Sequence, residues 1–353
     1  SFIYGSNFDG TKLFGWYNDQ NENYHLFSIN ENYQHIDITP PNSVRSYIVG
    51  LTPNGQKVWG TFNDQDFKIH HFSINLDGTG FVDLTPPESA GSYLSNLSPD
   101  GTTFFGGFHD KNSQLHYFTI KVDGSEYHEL KQLNNNTASI NNFTPDGTKL
   151  FGFDTVPTLH PFTINIDGSE LVSLSPPNSN YSGINGITND SQRAWGQFSS
   201  KDGYQHLFTI RVDGTAFVDL PLPINNGCNL NGLNPTGSKL WGQYSQNGSQ
   251  HLFTVNVDGS YFMNIFPKDD AVVNINSFNI NGFTENTNCA WGQYSDQNGQ
   301  NHNFLMKLDG TKFIDPTPKN ATIVNISGST KDGLLFGTYQ TADQKWHGFT
   351  YQT

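Results

Sequence analysis

Arginine is almost missing from this chain. Its 353 residues contain Arg45, Arg193 and Arg211 and no others, against a formal net charge of −14. A chain with so few cations cannot neutralise a run of phosphates or grip an anionic membrane, so nucleic acid is not an expected partner. Cysteine is as scarce. Cys228 and Cys289 allow one disulfide at most, and the repeat described below puts them at opposite ends of neighbouring units, so both are expected to be free thiols. No stretch approaches the roughly 18 apolar residues of a membrane span, and none is expected. The N-terminus, SFIYGSNFDG, enters a repeat at once, with no basic and apolar leader pattern ahead of it. Helical periodicity and nucleophile motifs such as G-x-S-x-G are absent too.

What is plentiful belongs to strands and turns. Charged residues make up 14% of the chain, while 35 Gly, 17 Pro, 15 Tyr and 28 Phe supply turn formers and strand formers. Self-similarity dominates the rest. The stretch SYIVGLTPNGQKVWGTFNDQDFKIHHFSINLDGTGFVDLTPP, starting at Ser46, recurs along the whole chain. One anchor is a glycine after an aromatic residue, at Gly15, Gly60, Gly106, Gly152, Gly196, Gly242, Gly292 and Gly337, with spacings of 45, 46, 46, 44, 46, 50 and 45. The other is H-x-F, with His25, His70, His116, His160, His206, His251, His302 and His347.

Both anchors count eight, and each unit of about 46 residues holds four short strand-like runs, the size of a propeller blade. The expected fold is therefore all-β: an eight-bladed β-propeller forming a single domain over 1–353, with blades at 1–44, 45–91, 92–137, 138–181, 182–227, 228–275, 276–322 and 323–353. A seven-bladed ring with a spare unit is the structural alternative. Strand A is the I-N-G-I type of run (Ile184 to Ile187, Leu230 to Leu233, Ile280 to Phe283), strand B is K-V-W-G-x-F, strand C is H-x-F-T-I and strand D is F-V-D-L. Asp-Gly pairs such as Asp213-Gly214 supply the positive φ of a tight hairpin between C and D. With a single carboxylate in V-D-G-T, they read as turns and not as calcium loops. The chain stops just after the last H-x-F, so the final blade lacks its outer strand. Closure of the ring then rests on blade one packing against blade eight, or on residues outside this sequence.

The unit from Gly183 to Leu220, GINGITNDSQRAWGQFSSKDGYQHLFTIRVDGTAFVDL, resembles the HAF-type extracellular repeat, although Leu, His, Tyr, Pro, Asn or Gly stands where that family favours Ala. LSPDGTTFFG, from Leu97 to Gly106, is similar to TolB-like propeller repeats. Both resemblances imply a propeller, and neither implies an established set of catalytic residues.

The eight histidines do not read as a metal site, because strand C is third from the axis and its copies lie on too wide a ring to share an ion. They read as structural residues, each anchoring its strand to a neighbouring loop. A sialidase-like cluster of three arginines fails as well, since Arg193 and Arg211 sit in one blade and Arg45 is placed in a loop far from them. The D-strand carboxylates Asp37, Asp83, Glu129, Asp219 and Asp315 recur as an outer-strand feature, whereas a catalytic site would break the symmetry. No catalytic residues, no metal and no cofactor are expected, and the reading leans against an enzyme. Phe14, Trp59, Phe105, Phe151, Trp195, Trp241, Trp291 and Phe336, just before the strand-B glycine, read as packing between blades.

In an up-and-down blade the B–C and D–A loops emerge on one face, and here they carry the sequence variation. Trp16, Gln197, Gln243 and Gln293, one residue past the strand-B glycine, and the aromatics Tyr47, Tyr93, Tyr181 and Trp346 are the candidate ligand-binding side chains on that face. These are residue types that hydrogen-bond hydroxyls and stack on sugar rings. The fourth unit's shortened B–C loop (Phe153 to Leu159) and the sixth unit's lengthened D–A segment (Phe266 to Asn279) are the main irregularities. The expected function is non-catalytic binding, lectin-like recognition of a carbohydrate, glycoconjugate or cell-surface ligand, with several weak sites adding up on one rigid ring. A protein–protein platform and a propeller lyase or hydrolase acting at the axial mouth are the alternatives. A count of 41 Asn with many N-x-S/T triplets leans toward a secreted or extracellular protein.

Overall fold

A computed structural model describes residues 2–133, 137–156, 158–201, 203–221, 227–246, 249–265, 277–284, 289–295, 299, 301–308, 313–330 and 332–352. Most of the lengthened segment between the sixth and seventh units, and parts of the loops around 134–136 and 296–300, fall outside them. Apart from a single 3-10 turn, Lys131–Leu133, every regular element among the described residues is a strand, and no helix is long and apolar enough to cross a membrane.

Eight antiparallel sheets follow one another along the chain, each in the up-and-down order A-B-C-D. Blade one illustrates the plan, with A at Phe2–Ser6, B at Leu13–Asn18, C at Tyr24–Ile29 and D at His35–Asp37. Blade two repeats it at Arg45–Leu51, Lys57–Asn63, Ile69–Asn75 and Val82–Asp83, and blade five at Ser179–Ile187, Arg193–Ser200, Gln205–Arg211 and Val218–Asp219. Six sheets have four strands. In blade seven the D position is reduced to one bridge, Leu305 to Ile314, and blade eight ends with strand C at Trp346–Gln352. This series is the fold of an eight-bladed β-propeller. By packing, the chain divides into two compact units, Ser1–Pro157 with Phe162–Ser173, and Thr158–Pro161 with Leu174–Thr353.

The glycine anchor has a steric cause. Strand A is bulged in every blade, as between Ile48 and Gly50 or Ile184 and Gly186, and the kink pushes a strand-A carbonyl toward strand B. A Cβ at Gly60 would lie 1.8 Å from the Tyr47 carbonyl oxygen, and at the other seven anchor glycines 1.9 to 2.2 Å from the matching oxygen. No side chain fits there. The C–D hairpins turn through the Asp-Gly pairs, with Gly214 at φ 79° and the Asp213 carboxylate accepting from the Thr215 N–H at 2.9 Å and its hydroxyl at 2.6 Å.

Neighbouring blades are joined by apolar packing and by a repeated hydroxyl. Phe14 packs with Ile48 and Val58 of blade two, and Phe105 meets Phe143 of blade four edge to face at 5.4 Å. Three residues past each histidine stands Ser28, Ser73, Thr119 or Thr209, fully buried. Ser28 donates to the carbonyl of Leu76. Ser73 donates to that of Val122 at 2.5 Å, Thr119 to that of Ile166 at 2.5 Å and Thr209 to that of Val257 at 2.7 Å, each acceptor lying in the next blade's C–D turn. In blade seven Leu305 takes this position.

Candidate functional site

Strand alternation sends the residues at one and three past the strand-B glycine toward opposite faces from the residue at two past. The position two past carries an aromatic ring that faces its own histidine. Tyr17 stacks on His25, Phe62 on His70, Phe108 on His116, Phe198 on His206, Tyr244 on His251, Tyr294 on His302 and Tyr339 on His347, with centroids 4.8 to 5.1 Å apart. In the fourth unit Asp154 replaces the ring.

Carboxylates or hydroxyls hold the imidazole edges. His70 Nδ1 lies 2.9 Å from Asp83 on strand D and its Nε2 3.2 Å from Asp64 in the B–C turn. His116 lies 2.8 Å from Glu129 and 3.6 Å from Asp110. His206 lies 3.0 Å from Asp219 and 3.1 Å from the Ser200 hydroxyl, while His160 has Ser175 and Thr158 hydroxyls at 3.1 Å. At His70 both ring nitrogens lie within hydrogen-bond reach of a carboxylate, which fixes the orientation of the ring. Among the described residues no group of three His, Cys, Asp or Glu is placed to hold a metal ion. Cys228 and Cys289 are both buried free thiols, and burial pushes the Cys228 thiol up to about 11.

The residue one past the glycine points the other way, toward the next blade, and two grooves lie there, while a third of about 450 Å³ opens on the histidine side of blade three beside Phe108, His116 and Glu129. Between blades one and two an open groove of about 570 Å³ is lined by Trp16, Asn18, Glu22, Tyr24, Val44, Arg45, Asn63 and Phe67. Trp16 stacks on Tyr24 at 4.8 Å with the planes 16° apart, and Tyr24 meets Tyr47 at 5.8 Å. The Arg45 guanidinium sits over the Tyr47 ring at 5.1 Å. Phe67 is 74% exposed and held at φ 60°, in the left-handed region that bulky residues avoid. Its turn is braced by Asp64, whose Oδ1 accepts from the N–H groups of Asp66 at 3.0 Å and Lys68 at 2.8 Å. The Lys68 bond first of all, with His70 alongside, holds the Asp64 carboxyl below its ordinary range. An aromatic ring is thus presented to solvent on a fixed turn. Burial pushes the Tyr24 hydroxyl up.

The matching position between blades seven and eight is also open, at about 630 Å³, but its chemistry differs. Gln293 stands for Trp16 and Asn301 for Tyr24, with His302, Asn303, Asp315, Thr322 and Asn325 around them. Gln293 donates to Asn303 at 3.3 Å. Between blades five and six the equivalent glutamines close on each other, Gln205 donating to Gln197 at 2.8 Å. At the second and third blades the positions hold Thr61 and Ile69, then Gly107 and Leu115. The grooves recur in position and not in composition.

Of the eight candidate binding residues, the structure brings Trp16 and Tyr47 together. Gln293 lines the second groove, Gln197 is tied to Gln205, and Gln243 is half-buried in strand B of blade six. Tyr93 covers its own strand neighbour Gly107, where a Cβ would meet its hydroxyl at 2.5 Å. Tyr181 and Trp346 are exposed in blades five and eight, away from either groove lining. Arg45, expected in a loop, opens strand A of blade two opposite Asn63, because the D–A connection pairs one residue earlier than the hydrophobic run suggests. Tyr24, Arg45 and Phe67 also line the first groove and are not among the sequence candidates. Tyr24 was legible: it lies two residues before Leu26, which pairs with Trp16, so alternation puts both rings on one face.

No family model matches the chain, and no curated protein matches it. Among solved structures, a putative TolB from Agrobacterium tumefaciens is similar at 13% identity and TM-score 0.34, over 61% of this chain and 78% of that one. TolB from Acinetobacter baumannii gives 12% and 0.34 over 72% and 63%, and a structure from a study of two prolyl endopeptidases gives 13% and 0.42 over 98% and 55%. This chain therefore spans about half the length of the last. The fold assignment rests on the blade geometry above.

Proposed function

We propose that the protein is a non-catalytic binding protein that recognises carbohydrate through grooves between its blades, the first of them lined by Trp16, Tyr24, Arg45 and Phe67. The stacked Trp16–Tyr24 pair carries this reading. The Trp16 indole, stacked between Tyr24 at 4.8 Å and Phe2 at 6.3 Å, forms with the Tyr24 phenol an aromatic wall at the edge of an open groove, and the Asn18 and Asn63 amides beside it add the hydrogen-bonding groups that sugar hydroxyls require. The amide-rich groove at Gln293 and Asn301 is a second polar site of the same kind without a stacking platform. Secretion, in keeping with the likeness to HAF-type extracellular repeats, is part of this proposal.

A protein-interaction platform is the second reading, and the exposed apolar side chains Phe2 and Tyr4 beside this region favour it. A glycan array followed by calorimetric titration separates the two. The expected result is binding of a defined saccharide that Trp16→Ala weakens by at least roughly tenfold, the loss of a stacking contact worth ~1–2 kcal/mol. Absence of any glycan ligand would overturn the carbohydrate reading and leave the platform.

A further inference from the structure

The groove between blades one and two holds one cation against the trend of the whole molecule. In a chain of net charge −14, Arg45 is the only basic residue in the groove lining. Its guanidinium makes no ion pair within 4 Å among the described residues, Glu22 included, and rests on the Tyr47 ring at 5.1 Å. Stacking on an aromatic face fixes the plane of the fork and leaves its N–H edge available. The other two arginines are used differently. Arg193 donates to the Thr209 hydroxyl at 3.1 and 3.2 Å and to the Ala216 carbonyl, and Arg211 lies beside Asp213, both at the opposite end of the blade.

We infer that this groove selects an acidic saccharide, one whose ring lies against Trp16 and Tyr24 and whose carboxylate is taken by the Arg45 fork. The inference rests on the carbohydrate reading and narrows it to sugar acids. A planar, pre-oriented guanidinium matches a carboxylate with two parallel N–H···O bonds, which a neutral hydroxymethyl group in the same place cannot reproduce. Asn18 and Asn63 remain for the ring hydroxyls, and Glu22 on the rim disfavours any second negative charge, so a singly charged sugar fits better than a densely sulfated one.

Calorimetric titration with methyl β-glucuronide and methyl β-glucoside tests this on the full chain and on Arg45→Gln and Arg45→Lys. Arg45 is exposed, so both variants are expected to keep the wild-type circular dichroism spectrum. The expected result is a preference of roughly tenfold or more for the glucuronide, lost in Arg45→Gln, partly kept in Arg45→Lys and reduced by added salt. Equal binding of the two sugars by the wild type, or a glucuronide preference that survives in Arg45→Gln, would overturn the inference while glucoside binding sensitive to Trp16→Ala keeps the carbohydrate reading. Binding of neither sugar, with a silent glycan array, removes both.

Discussion

Thr119→Val removes a hydroxyl that crosses from blade three to blade four and changes little else. Thr119 is 1% exposed, and its Oγ1 lies 2.5 Å from the Ile166 carbonyl oxygen. Valine keeps the volume, the β-branch and the strand preference, so packing is conserved. What disappears is a hydrogen bond with a net value of about 0.5–1.5 kcal/mol, and the Ile166 carbonyl loses its partner at a cost of about 1–3 kcal/mol if water cannot replace it. Ile166 is half-buried, so a total near 1–2 kcal/mol is expected. Urea unfolding should show a lower midpoint with an unchanged slope. Because blades contact chiefly their neighbours, the loss should be concentrated at one junction, and amide exchange in the turn after Asn165 should quicken roughly 5- to 30-fold. The control is Thr254→Val. Thr254 holds the same repeat position, is equally buried and has no hydrogen-bond partner for its hydroxyl, so valine there should be neutral or stabilising by up to about 1 kcal/mol. Equal shifts in the two variants, or a Thr119→Val change within about 0.5 kcal/mol of wild type, would refute the reasoning.

Other perturbations follow from the same geometry. Gly60→Ala sets a Cβ 1.8 Å from the Tyr47 carbonyl oxygen and should abolish soluble expression or cost more than about 3 kcal/mol. Gly91→Ala, with no atom within 4 Å of the added carbon, should be tolerated, and thermal melting compares them directly. Both cysteines should resist thiol reagents at pH 8 in the native protein and react in urea, since the Cys228 thiol is buried and pushed up to about 11, and rapid stoichiometric labelling of the folded protein would count against this. The turn carboxylates Asp77, Asp123, Asp167, Asp213 and Asp258 all lie below the ordinary carboxylate range, chiefly through the hydroxyl of the Ser or Thr two residues on. A group lowered in the folded state stabilises above its unfolded pKa and loses that contribution as pH falls through its folded one. Stability should therefore hold from neutral pH down to the ordinary carboxylate range and decline below it, as an acid titration of the urea midpoint would show. A decline that begins well above the carboxylate range would count against this.

The sequence by itself determined the blades. A glycine and a histidine recurring eight times at near-constant spacing, with Asp-Gly turns between them, can be satisfied only by a unit that repeats, and strand alternation within the unit assigns inner and outer rings without coordinates. It also placed variation at the B–C and D–A end, where the grooves are found. Position along a strand was less certain where the partner strand decides it: Arg45 pairs with Asn63 in strand A because the connection folds back one residue early, a register that no local pattern encodes. The residues chosen for the site were those at a repeated position, Trp16 with Gln197, Gln243 and Gln293, on the supposition that similar positions make similar pockets.

Tertiary structure decided otherwise, because a groove is made by two blades and its walls come from different units. Trp16 gains its stacking partner from strand C of its own blade and its cation from strand A of the next, some thirty residues further on (Arg45), while Gln197 meets another glutamine and is tied up by it. The exposed ring of Phe67 depends on a left-handed turn fixed by Asp64, a conformation that composition disfavours and that hydrogen bonds to the carboxylate enforce. Periodicity reports what every blade shares, and that is the scaffold. The departures that give one groove aromatic faces and a free guanidinium, and another only amides, emerge where neighbouring blades meet, since packing between units joins residues that the repeat keeps apart.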